Sequence, residues 1–172
     1  MHIKATKQVI TLISIIVALA SSAMFIWGVY THWPFARIAS EPLQMWALCA
    51  GVAAITLVGA VVGNANARFF HPELIDGTPA KHGSAFEISQ RCLQNTLEQL
   101  AIFICATASL SAVLRPSEVH ILPILTAWFV FARLVFWVGY RLSPQGRAFG
   151  FAATIYPSIG VLIFTFHRAW LS

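Results

Sequence analysis

Residues Arg91 to Glu98 read Arg-Cys-Leu-Gln-Asn-Thr-Leu-Glu, and they open an apolar segment that continues to Leu114. One helix thus carries an arginine, a glutamine, an asparagine and a glutamate toward hydrocarbon. A charge at the centre of a bilayer costs on the order of 3 kcal/mol on insertion scales, so polar groups there pair, line a wet cavity or bind something. Helical spacing puts Arg91, Asn95 and Glu98 at i, i+4 and i+7, on one face. One ligand can meet all three.

The surroundings of this stretch set the class. Of 172 residues, 58% are hydrophobic and only 10% are charged, and the apolar residues fall in long runs, which marks an all-α integral membrane protein. The formal charge of +5 is spread singly between those runs. Scattered cations anchor helix ends at a membrane surface and do not make a nucleic-acid face. Cys49, Cys92 and Cys105 lie in or beside apolar runs without a C-x-x-C pair, so neither a structural disulfide nor a cysteine metal site is expected. His71 and His82 lack a ligand spacing, and no metal is expected there either.

Five spans follow from the runs. The first, Val9 to Tyr30, has a small-residue stretch at Ser21-Ser22-Ala23 that resembles a cleavage site, yet it continues to a spanning length with aromatic residues at its end. It reads as a retained helix. Pro34 and Pro42 bound the next loop. The others are Gln44–Val62, Ile88–Leu114, Val119–Tyr140 and Ala148–Arg168. Gly51, Gly59 and Gly63 suit close packing of the second. The segment 64–87, with Pro72, Gly77, Pro79 and Gly83 and the acids Glu73, Asp76 and Glu87, reads as a polar loop. Arg115-Pro116-Ser117-Glu118 is a short turn with Ser117 as a cap, which makes its flanking helices antiparallel neighbours. Pro157 is expected to kink the last helix.

Orientation follows from the cations. Lys4, Lys7, Arg68, Lys81, Arg91, Arg141 and Arg147 collect at one side, and Arg37, Arg115 and Arg168 at the other. The first side is expected to be cytoplasmic, with the N-terminus inside. Arg133, Trp137 and Tyr140 again stand at i, i+4 and i+7 on the helix that returns to that side. At 1.5 Å per residue, Glu98 lies roughly 10 Å deeper than Arg91, and Arg133 roughly 10 Å deeper than Tyr140. Glu98 and Arg133 therefore reach similar depth. They either neutralise each other as a structural pair or share a ligand. Together with Arg141 and Arg147 the set outlines a cytoplasm-facing pocket suited to a small anion that carries an amino group.

At these residues the chain resembles a known family. Arg91-x-x-x-Asn95-x-x-Glu98, then Arg133-x6-Tyr140, then Pro144-x-x-Arg147, is similar to the MAPEG family, the membrane-associated proteins of eicosanoid and glutathione metabolism. The resemblance covers residues 44–172 as a four-helix domain, with residues 1–43 an additional N-terminal transmembrane helix and loop. It implies a homotrimer of such subunits, with glutathione held between neighbouring subunits near the cytoplasmic side. It further implies that Arg91, Gln94, Asn95, Glu98, Arg133 and Tyr140 bind glutathione, with Arg147 the catalytic cation beside its sulfur. Gln94 stands where some catalytic members have a second arginine, and His71-Pro72-Glu73-Leu74 where the pattern is often Asn-Pro-Glu-Asp.

The expected activity is a glutathione-dependent transferase or peroxidase acting on hydrophobic electrophiles or lipid hydroperoxides in a bacterial inner membrane. The alternatives are a non-catalytic lipid- or glutathione-binding scaffold and, third, a small-molecule transporter. Five spans without a broken-helix repeat argue against the last.

Overall fold

The computed structural model describes residues 2–32, 41–70, 74, 77, 80–143 and 145–171, with side chains from Thr6 onward. Pro34, Arg37, His71, Pro72, Glu73, Asp76, Pro79 and Pro144, and the side chain of Lys4, lie outside the described residues. The fold is all-α: α1 (His2–His32), α2 (Pro42–Phe69), α3 (Ala85–Val113), α4 (Ile121–Leu142) and α5 (Arg147–Trp170), with a 3-10 turn at Pro116–Glu118. Helices α1, α2, α4 and α5 are long and apolar enough to cross a membrane. α3 has the length at 29 residues, but its polar face dilutes its hydropathy.

Large apolar side chains point outward along the bundle, including Leu48, Ile55, Val58, Leu134 and Ile163. In water this pattern would aggregate; in hydrocarbon it is the ordinary exterior. The interior is built from Phe103, Leu110, Leu122, Leu125 and Phe129, with Phe103 and Phe129 stacked at 4.4 Å. α3 packs against α2, α4 and α5, and α4 against α5. Hydrogen bonds tie α2 to α3 where apolar packing alone gives no register: Trp46 Nε1 donates to Thr107 Oγ1 at 3.2 Å, and Asn64 Nδ2 to the Ser89 carbonyl at 3.2 Å.

α1 docks along its length on α4 and α5. Ala18, Ala132, Ala152 and Ala153 are buried together, small side chains that let the helices approach closely. Phe25 lies 5.1 Å from Trp128, and Tyr30 stacks on His120 at 4.6 Å. The additional helix packs against α4 and α5 of the same chain.

Local chemistry explains the helix ends and departs from the sequence expectations in places. α2 continues to Phe69, beyond the expected end at Val62, because Asn64 turns its amide onto the Ala60 and Ser89 carbonyls instead of breaking the helix. The Ser84 hydroxyl caps α3 by accepting from the Glu87 N–H at 3.1 Å. Ser117 does not cap α4; it lies in the 3-10 turn, where the Glu118 carboxylate accepts from the Arg115 N–H at 2.9 Å. Arg168 pairs with Glu118 at 2.9 Å, which fixes the end of α5 beside that turn.

α5 runs unbroken through Pro157. Proline has no N–H, so the Ala153 carbonyl one turn earlier loses its helical donor. The indole N–H of Trp128 takes that place at 2.8 Å. Of the glycines expected to give close packing in α2, only Gly59 does so, against the Trp137 ring; Gly51 and Gly63 face open space. The tight approach occurs instead where α4 meets α5. A Cβ on Gly150 would lie 2.5 Å from the backbone of Phe136, and Gly139 touches the backbone of Gly146. These two contacts bring the start of α5 against the end of α4.

Candidate functional site

That junction opens into a cavity of about 630 Å³. α3 supplies Arg91, Gln94, Asn95 and Glu98 to its wall, α4 supplies Phe136 and Tyr140, and the start of α5 supplies Arg147, Ala148 and Phe151. Gln145 from the intervening loop joins them. The i, i+4, i+7 reading thus places the α3 set on one face that borders one space.

Several polar groups on the wall have defined partners. Arg147 Nη1 donates to the Tyr140 hydroxyl at 3.0 Å, with the guanidinium carbon 4.8 Å from the ring centroid. Gln94 Nε2 donates to Glu98 Oε1 at 3.0 Å. Arg91 Nη2 reaches back to Glu87 Oε1 at 2.7 Å. Glu87, in the first turn of α3 before its apolar part, also accepts from the Gly83 N–H at 2.6 Å. That backbone bond, with the nearby Arg91 guanidinium, holds its carboxyl below the usual carboxylate range. The Glu98 carboxylate has no cation in ion-pair reach among the described residues.

The expected meeting of Glu98 with Arg133 does not occur. Arg133 is fully buried behind the wall, where Nη1 donates to Asn95 Oδ1 at 3.0 Å and Nη2 to Thr96 Oγ1 at 2.9 Å. Its guanidinium also lies over the Phe136 ring at 4.1 Å. Matched depth is not sufficient for contact. Glu98 follows Thr96 by two residues, about 200° around the helix, so the two side chains leave α3 on opposite sides. Arg133 therefore borders the cavity only through Asn95.

Thr96 is the residue the sequence reading missed. Its hydroxyl donates to the Cys92 carbonyl at 2.7 Å and accepts from both Arg133 and Trp137, the latter at 3.0 Å. One donor and two lone pairs are then all used. The sequence signal is a small hydroxyl beside Asn95 at the depth of an arginine on the next helix. Also unforeseen are Lys7 and Thr11 of α1, which close a further wall of the cavity.

A second cavity, about 820 Å³, lies between α1 and the bundle toward the other end. Trp27, Tyr30, Leu125, Val161 and Phe164 form its apolar lining, and the Glu118–Arg168 pair its edge. The two ends of the bundle differ accordingly: the polar cavity at one, an apolar cavity at the other.

The family model described as "MAPEG family" matches residues 43–167. Among curated proteins, Transmembrane protein 79 of Bos taurus is 26% identical over 81 residues, which is 47% of this chain and 20% of the relative. Transmembrane protein 79 of Mus musculus is 23% identical over 159 residues, 90% of this chain and 40% of the relative. The chain thus spans less than half the length of these relatives. No solved structure matches.

Proposed function

Because the chain belongs to the MAPEG family, an integral membrane family, we propose that its polar cavity binds glutathione and that the protein is a glutathione-dependent transferase or peroxidase for hydrophobic electrophiles or lipid hydroperoxides. The observation that carries this reading is the convergence of Arg91, Gln94, Asn95, Glu98, Tyr140 and Arg147 on one cavity of about 630 Å³. Small-molecule sites span roughly 300–1,000 Å³. The donor set also fits the tripeptide: Glu98 offers a carboxylate without a cation partner to an amino group, and the arginines offer cations to carboxylates.

Bound glutathione would supply the thiol that attacks the electrophile or reduces the peroxide. Arg147 acts on that thiol's ionisation, since a nearby cation favours the thiolate, the nucleophilic form. Tyr140 holds Arg147 in place through its hydroxyl. Gln94 orients the Glu98 carboxylate, and the buried Arg133 orients Asn95. Arg133 is thereby a positioning residue. Phe136, Ala148 and Phe151 give the same cavity an apolar side for a second substrate from the bilayer.

The same reading carries a homotrimer in a bacterial inner membrane, with the N-terminus and the cavity on the cytoplasmic side. The grouping of Lys7, Arg91 and Arg147 around the cavity, against Arg115 and Arg168 near the opposite turn, supports that orientation by the positive-inside rule.

The test is a glutathione titration of the full chain in detergent, with wild type and Glu98→Gln, alongside conjugation and peroxide-reduction assays. Wild type should bind and turn over, and Glu98→Gln should bind about tenfold more weakly at unchanged melting temperature. Binding without turnover would assign the protein to the non-catalytic scaffold reading. Absence of binding would end the glutathione reading altogether.

A further inference from the structure

α1 lies outside the region that defines the family match, yet it meets the polar cavity. Lys7 and Thr11, four apart and on one face of α1, both line it. The Thr11 hydroxyl is turned onto the Lys7 carbonyl at 3.0 Å, while the Lys7 ammonium has no ion-pair partner among the described residues. α1 is held in this register by the buried contact of Ala18 with the alanines of α4 and α5 and by Phe25 on Trp128. Lys7 is therefore delivered to the cavity by packing along the helix, several turns away.

The charges on the wall make its role specific. The ionic groups lining the cavity are Lys7, Arg91 and Arg147 on the cationic side and Glu98 on the anionic side. Glutathione with its sulfur ionised carries the reverse set: one ammonium, and anions at two carboxylates and the thiolate. With Glu98 on the ammonium and Arg147 on the sulfur, Arg91 serves one carboxylate. Among the cations that this chain sets on the cavity wall, Lys7 is the one left for the other.

We propose that Lys7 is a ligand-binding residue that pairs with one glutathione carboxylate, and that the additional N-terminal helix is a working wall of the site. This rests on the glutathione reading above. A lysine ammonium is a flexible point charge with three donors, suited to a single carboxylate at a partly open rim. The contact ties occupancy of the site to the docking of α1, because ligand and helix are then held by the same charge.

The experiment is a binding titration on the full chain in detergent with wild type, Lys7→Gln and Lys7→Arg. Each is titrated with glutathione and with glutathione esterified at one carboxylate or at the other. Lys7→Gln should weaken glutathione about tenfold, and Lys7→Arg should restore most of the affinity. The Lys7→Gln penalty should vanish against one of the two esters and persist against the other, a pattern that a membrane-anchoring lysine does not produce. Wild-type binding with no loss in Lys7→Gln, or a loss equal for both esters, overturns the role of Lys7 and leaves the glutathione reading standing. Wild type that binds no glutathione overturns both.

Discussion

Arg147 leans on Tyr140: its Nη1 donates to the tyrosine hydroxyl at 3.0 Å, and its guanidinium carbon stands 4.8 Å from the ring centroid. The two stand seven positions apart, with the loop between α4 and α5 in between. An arginine at a helix start without such a partner would sweep a wide volume. Here the ring of a buried tyrosine fixes it at the rim of the polar cavity, and the Gly139–Gly146 and Gly150–Phe136 backbone contacts fix the tyrosine's helix to the arginine's.

Arg147→Ala should lower turnover on the order of a hundredfold while weakening glutathione binding far less, because its charge acts on the reacting sulfur. Tyr140→Phe keeps the ring and loses the hydroxyl, so its turnover should fall roughly threefold to tenfold. Separate measurement of kcat and of glutathione affinity decides the matter. Equal losses in both quantities for Arg147→Ala would make it an anchoring residue.

Thr96→Val should destabilise the bundle by about 1–3 kcal/mol. It keeps the volume but removes the acceptor shared by the buried Arg133 and Trp137. A lower melting temperature in detergent is the expected reading, whereas an unchanged one would mean that both donors find other partners.

Trp128→Phe tests the repair of the proline site in α5. The variant strands the Ala153 carbonyl that Pro157 cannot serve, at a cost of about 1–3 kcal/mol. The double variant Trp128→Phe with Pro157→Ala restores a backbone N–H to that carbonyl and should recover much of the loss. Thermal melts of the single and double variants measure the coupling.

Glu87 gives the protein an acid-sensitive clamp. Its folded-state carboxyl titrates below the usual carboxylate range, chiefly through the Gly83 N–H. A group with a depressed folded pKa contributes stability that is present above its unfolded pKa and is lost as pH falls through the folded one. Stability should therefore decline on acidification below the ordinary carboxylate range, and Glu87→Gln should flatten that decline. Melting temperatures across an acid pH series for both proteins would show it, and parallel curves would remove Glu87 from the cause.

Much of the architecture was legible in the chain, because membrane spans are written as long apolar runs bounded by cations and prolines. The face of α3 was legible for the same reason: Arg91, Asn95 and Glu98 stand at helical spacing in a segment where polar residues are costly. The wrong inference came at Arg133. Depth can be counted along a helix, but the direction in which a side chain leaves a neighbouring helix depends on rotation about both axes. That rotation is set by packing, here by Phe136 beneath the guanidinium and by the glycine contacts between α4 and α5.

The sequence by itself determined that this is an all-α membrane protein, which end of the bundle is polar, and which face of α3 carries the polar groups. Those properties follow from local composition and from the period of one helix. Only the tertiary structure decided that Arg133 turns to Asn95 and Thr96, that Trp128 completes the bonding around Pro157, and that α1 brings Lys7 to the cavity. Each of these is a meeting of side chains far apart in sequence. Such meetings depend on how the helices rotate against one another, and no single helix encodes that.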